Sequence, residues 1–530
     1  MLMVVSQESR LSAELESRHE LKLPYRTTSL CPHCLKVISA EVYVEDGRVM
    51  IRKNCPEHGE TVEVYWSDVE LFKKAFKFAH DGPGIDNPLV DDSKCPFSCG
   101  LCKIHKSQTA LLNIVLTNRC DIVCWYCFFY ARKAGYVYEP TLEQIRHMIR
   151  VAKSIRPVAT NAVQLTGGEP TLRDDIVEII RLIKEEGIEH IQVNTNGIRL
   201  AREPDFAKKV RDAGCNTIYL SFDGIDEKTN PKNHPEVPKI LKNCRKAELG
   251  VVLVPTVIKG VNDHQIGDIV RFASRNIDVV RGVNFQPVSL VGSMPRRERE
   301  KVRVTIPDVI IALEEQTNGE IGREDFYPVP SVAPISHFVE SITGIPQYEL
   351  TTHWACGMAT YVFKDDEGRL TPVTRFIDVE GLFEYLNEKS EELRGSRIRK
   401  IKAFKGIIDL RKFVDNTRAP KGFDITKILF DVLVRHDYTS LGKFHARSLF
   451  IGIMHFQDLY NYDMERVKRC EIHYATPDGK IIPFCTFNVI PELYRDKVQA
   501  EYGIPVDEWE KKTGKKLRSE IYRVVKKPRD

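Results

Sequence analysis

The chain has no apolar run approaching the ~18–20 residues that a membrane-spanning helix requires. Charge of one sign is also missing. Its 78 Lys and Arg face 74 Asp and Glu, a net charge of +4, so a nucleic-acid partner is not expected. The first residues show no positive stretch followed by an apolar core, so no secretory signal is expected. These absences point to a reducing, cytoplasmic setting, where clustered cysteines serve as metal ligands rather than disulfides. With 530 residues, 42% hydrophobic and 29% charged, the chain has room for two to four domains and a sizeable core.

Cysteine is plentiful, with fourteen residues that fall into groups. Cys120, Cys124 and Cys127 follow an apolar run in LLNIVLTNRCDIVCWYCF. This C-x3-C-x2-C spacing puts three thiolates on one tight loop. Such a loop suits an iron–sulfur cube with one iron left open, and a structural metal knuckle is the plainer alternative. Residues 114–117 read as a buried strand, which would place the loop at a strand's C-terminal end. Near the N-terminus, Cys31-Pro-His-Cys34 and Cys55-Pro-Glu-His58 flank an alternating stretch with an Asp-Gly turn, a hairpin pattern. Three thiolates and an imidazole suit one tetrahedral ion, zinc or a rubredoxin-like iron, in a structural role. Cys95, Cys99 and Cys102 repeat the C-x3-C-x2-C spacing. Cys356 and Cys470 each precede a strand, acidic-Gly turn and strand with the pattern G-x3-P-x-[TC], in which Thr374 corresponds to Cys485. Cys215 and Cys244 fall on helical patterns and read as core residues.

Between residues 114 and 288, apolar β-rich runs alternate with helical patterns. Strands are expected at 114–117, 161–167, before Asn194-Thr195-Asn196-Gly197, before Ser221-Phe222-Asp223-Gly224, at 251–257 and at 283–288. Helices are expected at 142–155, 175–186, 206–213, 238–249 and 265–274. Alternation of this kind implies a parallel sheet covered by helices.

The cysteine loop and the strand ending in Gly167-Gly168-Glu169-Pro170, about one βα unit later, resemble the radical S-adenosylmethionine (SAM) enzymes. The glycines allow close backbone approach, and a carboxylate can pair with the SAM ammonium. The resemblance implies an α/β fold: a partial (β/α)6 TIM-type barrel, here 108–292. It is flanked by an N-terminal metal-knuckle region with the first C-x3-C-x2-C loop (1–107) and a C-terminal α+β auxiliary-cluster domain (293–530). It further implies that Cys120, Cys124 and Cys127 ligate the catalytic [4Fe-4S] cluster. Tyr126 would lie near the adenine, and Thr195, Asn196, Ser221 and Asp223 would contact the ribose or carboxylate of SAM. The Cys95 loop would then hold an auxiliary cluster, with His105 or a distant cysteine as fourth ligand. Cys356, Cys470 and Cys485 would hold another, on an element similar to SPASM and twitch extensions.

The two C-x3-C-x2-C motifs, the N-terminal knuckle and the hairpin pair resemble, in their order, the archaeal tetraether lipid synthases. That likeness implies a C–C bond formed between terminal methyl carbons of isoprenoid chains on glycerol diether lipids. A deoxyadenosyl radical would remove each hydrogen, and an auxiliary cluster would hold the intermediate. It also implies a lipid substrate, peripheral membrane contact and a reductant such as a ferredoxin. Apolar pieces at 306–316, 329–346 and 404–410 could line a chain tunnel, although core-packing helices are the plainer reading. Arg296-Arg297 and the basic stretch 511–527 could meet anionic headgroups. Two other readings stand beside this one: a radical SAM methylase or maturase acting on a pterin cofactor or a peptide, and an iron–sulfur electron carrier. A peptide maturase often carries a winged helix, and none is evident. A carrier needs no SAM site.

Overall fold

The computed structural model describes residues 21–90, 94–129, 134–394, 406, 409–420 and 447–527. Most of the expected apolar stretch at 404–410 lies outside them.

The N-terminal module is a four-stranded antiparallel ribbon: Tyr25–Leu30, Val37–Glu45, Arg48–Cys55 and Gly59–Trp66. Its central hairpin turns at Asp46-Gly47, both with positive φ (49° and 74°). Those angles fit the two-residue turn that Asp-Gly favours.

Next comes the expected strand–helix alternation. Leu111–Thr117, Ala162–Gly167, His190–Thr195, Thr217–Ser221, Gly250–Val254 and Val280–Pro287 pair in parallel, in chain order. The helices Leu142–Ser154, Ile176–Glu185, Phe206–Asp212, Val237–Lys246 and Ile266–Arg275 connect them. Each helix buries one stripe. In Leu142–Ser154 the stripe is Ile145, Met148, Ile149 and Ala152, at the 3–4 spacing of a single helical face. Thr141 and Gln144 close a capping box at its start.

Residues far downstream extend this sheet at both ends. Ser448–Met454 pairs in parallel with Val280–Pro287, and Ile472–Ala475 pairs in parallel with Leu111–Thr117. Antiparallel strands follow outside each: Gly357–Lys364 on one edge and Ile481–Pro483 on the other. Strands from both sides of residue 292 therefore share one open sheet, and no strand pairing joins its two edges among the described residues. The apolar segments 306–316 and 333–343 are helices with their large residues turned into the core (Ile306, Val309, Ile310, Leu313 and Phe338). They pack the fold, as the plainer of the two readings expected, and do not form a lipid tunnel. Among the described residues, no helix is long and apolar enough to cross a membrane.

Buried polar groups bind the ribbon to the sheet. Asp463 accepts hydrogen bonds from Thr27 Oγ1 (2.7 Å) and Tyr65 Oη (2.9 Å). Lys53, 1% exposed, donates to the Leu459 carbonyl (2.7 Å), and burial pushes its pKa down to about 7. Arg303 bridges Asp458 (2.5 Å) and Glu63 (3.2 Å). Burial opposes the charge of Asp458, but Arg303 and the Leu290 and Tyr460 amides hold its carboxyl well below the ordinary range. Replacing Asp458 by Ala is expected to cost about 3–5 kcal/mol in equilibrium unfolding, because Arg303 and Lys53 lose a buried counter-charge. Since the folded pKa is depressed, this stabilisation is complete above about pH 4 and is lost as pH falls toward it. Wild-type and variant stabilities should therefore converge in acid.

Candidate active site

The strand Leu111–Thr117 delivers the cysteine loop to the C-terminal edge of the sheet. Within that loop, residues Ile122–Cys124 form a short strand paired in parallel with Arg523–Val525. Trp125 N donates to the Val525 carbonyl (3.1 Å), and Tyr522 N donates to Asp121 O (2.7 Å). Arg119 fixes the loop's base by bonding Glu139 (2.8 Å), Glu520 and the Leu172 carbonyl (3.1 Å). Cys120, Cys124 and Cys127 all line one cavity of about 310 Å³. Burial pushes the Cys120 and Cys124 thiols up, Cys124 to about 12. Buried thiols of this kind ionise when a metal takes the charge, so the donor set fits a cluster.

The glycines before Glu169 lie against this loop. Gly168 N donates to Thr117 O (2.8 Å), and Glu169 N donates to Arg119 O (2.7 Å). A methyl group at Gly167 or Gly168 would fall on those same carbonyls, and Gly167 has φ +141°. Only glycine permits so close an approach. The Glu169 carboxylate accepts four hydrogen bonds: from Thr171 N (3.0 Å), Thr171 Oγ1 (2.6 Å), Thr195 Oγ1 (2.7 Å) and Asn196 N (2.7 Å). Among the described residues no Lys or Arg pairs with it. Burial, then repulsion from Asp121, push its pKa up to about 7. An ionised carboxylate buried without a cation suits an ammonium ligand such as that of SAM.

Thr195, Asn196, Ser221 and Tyr126 also reach the cavity wall. Asp223 does not. It sits behind Tyr126, accepting the phenol's hydrogen bond, the Thr256 amide (2.9 Å) and the Lys232 ammonium (2.9 Å). It lines a separate small cavity and orients Tyr126 and Lys232. Burial opposes the charge of Lys232, but Asp223 together with Cys124 and Cys127 outweighs it and leaves the pKa above the ordinary lysine value.

The far wall is polar, and its pattern comes from strand alternation. Gln164 and Thr166, Asn194, Tyr219 and Ser221, and Asn284 and Gln286 project inward from successive strands at a period of two. Gln192 Nε2 donates to Gln164 Oε1 (2.6 Å), Gln164 Nε2 to Asn113 Oδ1 (2.7 Å), and Asn284 Nδ2 to the Tyr219 hydroxyl. A second wall is aromatic, with Phe128, Phe456, Phe484 and Tyr474.

In the ribbon, the ligating atoms of Cys31, Cys34, Cys55 and His58 lie within 4.8 Å of one another. Cys34 Sγ to Cys55 Sγ is 3.8 Å, and His58 Nδ1 lies 3.7 Å from Cys31 Sγ and 3.6 Å from Cys55 Sγ. A tetrahedron with metal–sulfur bonds of about 2.3 Å has edges of about 3.8 Å, so the quartet fits one ion. The remaining cysteines form no such compact group among the described residues. Cys95 and Cys99 hydrogen-bond each other, and Cys99 N meets the Tyr494 hydroxyl (3.1 Å). Cys102 lines a small cavity beside them with His105. The His105 ring is taken by the Cys470 carbonyl (2.8 Å) and His473 (3.2 Å).

Cys356, Cys470 and Cys485 come from hairpins at opposite edges of the sheet, and burial, with Cys485 and Cys356 nearby, pushes the Cys470 thiol up. Arg466, 1% exposed, donates to Cys356 Sγ (3.3 Å). Thr374, the counterpart of Cys485, instead hydrogen-bonds Asp325. Cys215 and Cys244 are buried in the core, and none of the fourteen cysteines is in a disulfide.

Comparison with known proteins agrees with this geometry. The radical SAM superfamily model matches residues 114–273, and the model of the HMPTM N-terminal zinc ribbon domain matches residues 23–67. The 7,8-dihydro-6-hydroxymethylpterin dimethyltransferase of Methanocaldococcus jannaschii is 48% identical, over 92% of this chain and 97% of its own. The chain belongs to the radical SAM pterin dimethyltransferase family. A probable GTP 3′,8-cyclase of Pyrococcus horikoshii is 36% identical over 31% of this chain and 51% of its own length. A solved structure of HydG, a maturase of the [FeFe]-hydrogenase, aligns over 41% of this chain and 52% of its own, at 14% identity and a TM-score of 0.33, too low to carry an argument.

Family membership corrects the lipid expectation. The near-full-length relative is a pterin dimethyltransferase, which overturns coupling of isoprenoid chains and, with it, the lipid, membrane and ferredoxin partners. The basic stretch 511–527 agrees with this correction. Lys515 pairs with Asp174 (2.6 Å), Lys516 with Glu510 (2.8 Å), Arg523 with Glu236 (2.9 Å) and Lys527 with Glu298. These cations are matched within the protein, and the stretch braces the cysteine loop of this dimethyltransferase-family chain. Sequence reasoning missed Arg119, Lys232 and the inward amides. The amides were visible as alternation in the strands, whereas Lys232 lies in a loop with no pattern.

Proposed function

We propose that the protein is a radical SAM methylase acting on a reduced pterin. The observation that carries this reading is the polar wall of Gln164, Asn194, Tyr219, Asn284 and Gln286 facing the cysteine loop across one cavity. A pterin presents adjacent ring donors and acceptors, and side-chain amides can match either kind. The likeness to the M. jannaschii dimethyltransferase supports the same substrate class. When bound, SAM and a [4Fe-4S] cluster supply hydrogen-atom abstraction from an unactivated C–H bond. In this proposal Cys120, Cys124 and Cys127 hold that cluster, and Glu169 with Thr195, Asn196 and Ser221 holds SAM. Tyr126 flanks the adenine, held by Asp223 and Lys232, while the aromatic wall keeps water out. The ribbon quartet holds a structural zinc or iron ion, and a reducing cytoplasm keeps the thiols available.

The same proposal gives Cys95, Cys99 and Cys102 one auxiliary cluster and Cys356, Cys470 and Cys485 another. Cys485→Ala is then expected to lose one cluster's worth of iron yet still cleave SAM. Iron content unchanged from wild type would remove the second auxiliary cluster from the proposal.

The test of function is incubation of reduced, reconstituted protein with SAM, 7,8-dihydro-6-hydroxymethylpterin and a one-carbon donor, followed by mass spectrometry. The donor is a second SAM or a methylene-bearing reduced pterin, because reductive cleavage leaves the first SAM's methyl on methionine. The expected product is heavier by one or two methyl groups. SAM cleavage with no methylated pterin would overturn the reading. Asn194→Leu is expected to weaken pterin binding about ten- to a hundredfold, the effect of leaving a buried polar partner unmatched. Cleavage of SAM without pterin should persist in that variant.

A further inference from the structure

We propose that His80, His337 and Glu349 form a second mononuclear metal site, for a divalent transition ion of the zinc class, sharing no ligand with any cysteine group. The three ligating atoms lie within 4.8 Å of one another. His80 Nε2 is 3.2 Å and His337 Nε2 is 3.3 Å from the same oxygen, Oε2 of Glu349. The two imidazole rings stand edge to face, 5.3 Å apart.

These separations carry the proposal. Zinc binds imidazole nitrogen and carboxylate oxygen at about 2.0–2.1 Å, so neighbouring ligands on its tetrahedron stand about 3.3–3.4 Å apart. Two imidazoles converging on one carboxylate oxygen reproduce that edge twice. The ligand type sets the metal class, since imidazole favours zinc and its neighbours, whereas magnesium and calcium take oxygen sets. Three protein ligands leave a fourth position for water, and His80 provides the opening, with 41% of its side chain exposed against 17% for His337 and 14% for Glu349. The Asn387 side chain lies beside the His337 ring, where it can act as an outer partner. Ligating imidazoles commonly need such a contact to fix their orientation.

The site would join three separate pieces of chain. His80 follows the helix Val69–Phe76 that leads out of the ribbon. His337 lies on the helix Ala333–Thr343, and Asn387 on the helix Val379–Leu393. Glu349 belongs to the connection that runs on to Cys356. That connection is tied to the loop before the strand Ala162–Gly167 by Tyr348, which donates to the Ala159 carbonyl. An ion here would fix the path of the segment that presents Cys356. The ion takes the Nε2 lone pairs of neutral imidazoles that carry their proton on Nδ1, any imidazolium proton passes to water, and no redox change is required.

The test uses reconstituted holoprotein with the ribbon ion and the iron–sulfur clusters in place. It is titrated with Zn²⁺ against a competing chromophoric chelator. Wild-type protein is expected to take up one equivalent that the His337→Ala/Glu349→Gln double variant does not. Asn387→Leu should keep that equivalent but bind it about 10–100-fold more weakly. Circular dichroism and retention of the ribbon ion show that each variant is folded. Co²⁺ offered in place of zinc should add ligand-field bands without a thiolate charge-transfer band, in wild type and not in the double variant. Equal zinc uptake by wild type and double variant overturns the site, as does cobalt absorbance of thiolate character. Loss of activity toward a pterin would not bear on this result, because the readout is metal stoichiometry.

Discussion

Replacing Glu169 by glutamine is expected to weaken SAM binding about a hundredfold and to remove its dependence on pH. The carboxylate is the one anionic group on the cavity wall that accepts four hydrogen bonds and has no cationic partner among the described residues. A charge-assisted contact to an ammonium is worth about 1.5–3 kcal/mol, and its upper part corresponds to about a hundredfold in affinity. Glutamine would also turn an N–H toward the Thr195, Thr171 or Asn196 donors, because every lone pair now in use faces a donor. The pH dependence follows from the same burial. With its pKa near 7 in the ligand-free protein, Glu169 must lose a proton to receive the ammonium. Affinity should therefore rise about tenfold per unit up to about pH 7 and level off above it. The ligand-free fold behaves in the opposite way. A carboxyl whose folded pKa lies above its unfolded value loses stability as pH rises from about 4.5 to 7, the reverse of Asp458. Equilibrium dialysis of SAM with both proteins between pH 6 and 8 measures the two effects. A flat wild-type profile, or unchanged binding by Glu169→Gln, would remove Glu169 from the SAM site.

The parallel core was legible in the sequence because each of its strands is a short run with a buried face and helical patterns lie between them. That is why Ala162–Gly167 and Thr217–Ser221 fall within a residue or two of expectation. The ribbon quartet was legible for another reason: ligand spacing and an Asp-Gly turn are local. What escaped is non-local. Ser448–Met454 and Ile472–Ala475 carry no mark showing that they border strands about 170 and 360 residues upstream. The same limit explains the substrate. Motif order reports the cofactor machinery, which radical SAM enzymes of many activities share. The wall proposed to meet the substrate is made of Gln164, Asn194, Tyr219 and Asn284, single residues spread over four strands, each ordinary in its own segment. Only the register of the sheet brings them to one wall.

The short strand Arg523–Val525 gives the sharpest test of how the cysteine loop is held. Val525 is 3% exposed and packs with Ile122 and Ile198 against Cys120, Cys124, Trp125 and Tyr126. Val524, one residue earlier, is 54% exposed, as strand alternation requires. Val525→Asp is therefore expected to reduce SAM cleavage about a hundredfold, the scale of a misplacement of about 1 Å at a reacting group. An aspartate there would be buried without a cation, facing thiolates, so the strand would part from Ile122–Cys124. Val524→Asp carries the same charge on the outer face and should leave cleavage within about twofold of wild type, as surface substitutions do. The pair separates register from charge. If both variants fail, the stretch acts through its field and not its packing. If neither fails, the loop holds its own geometry and the strand is incidental to it.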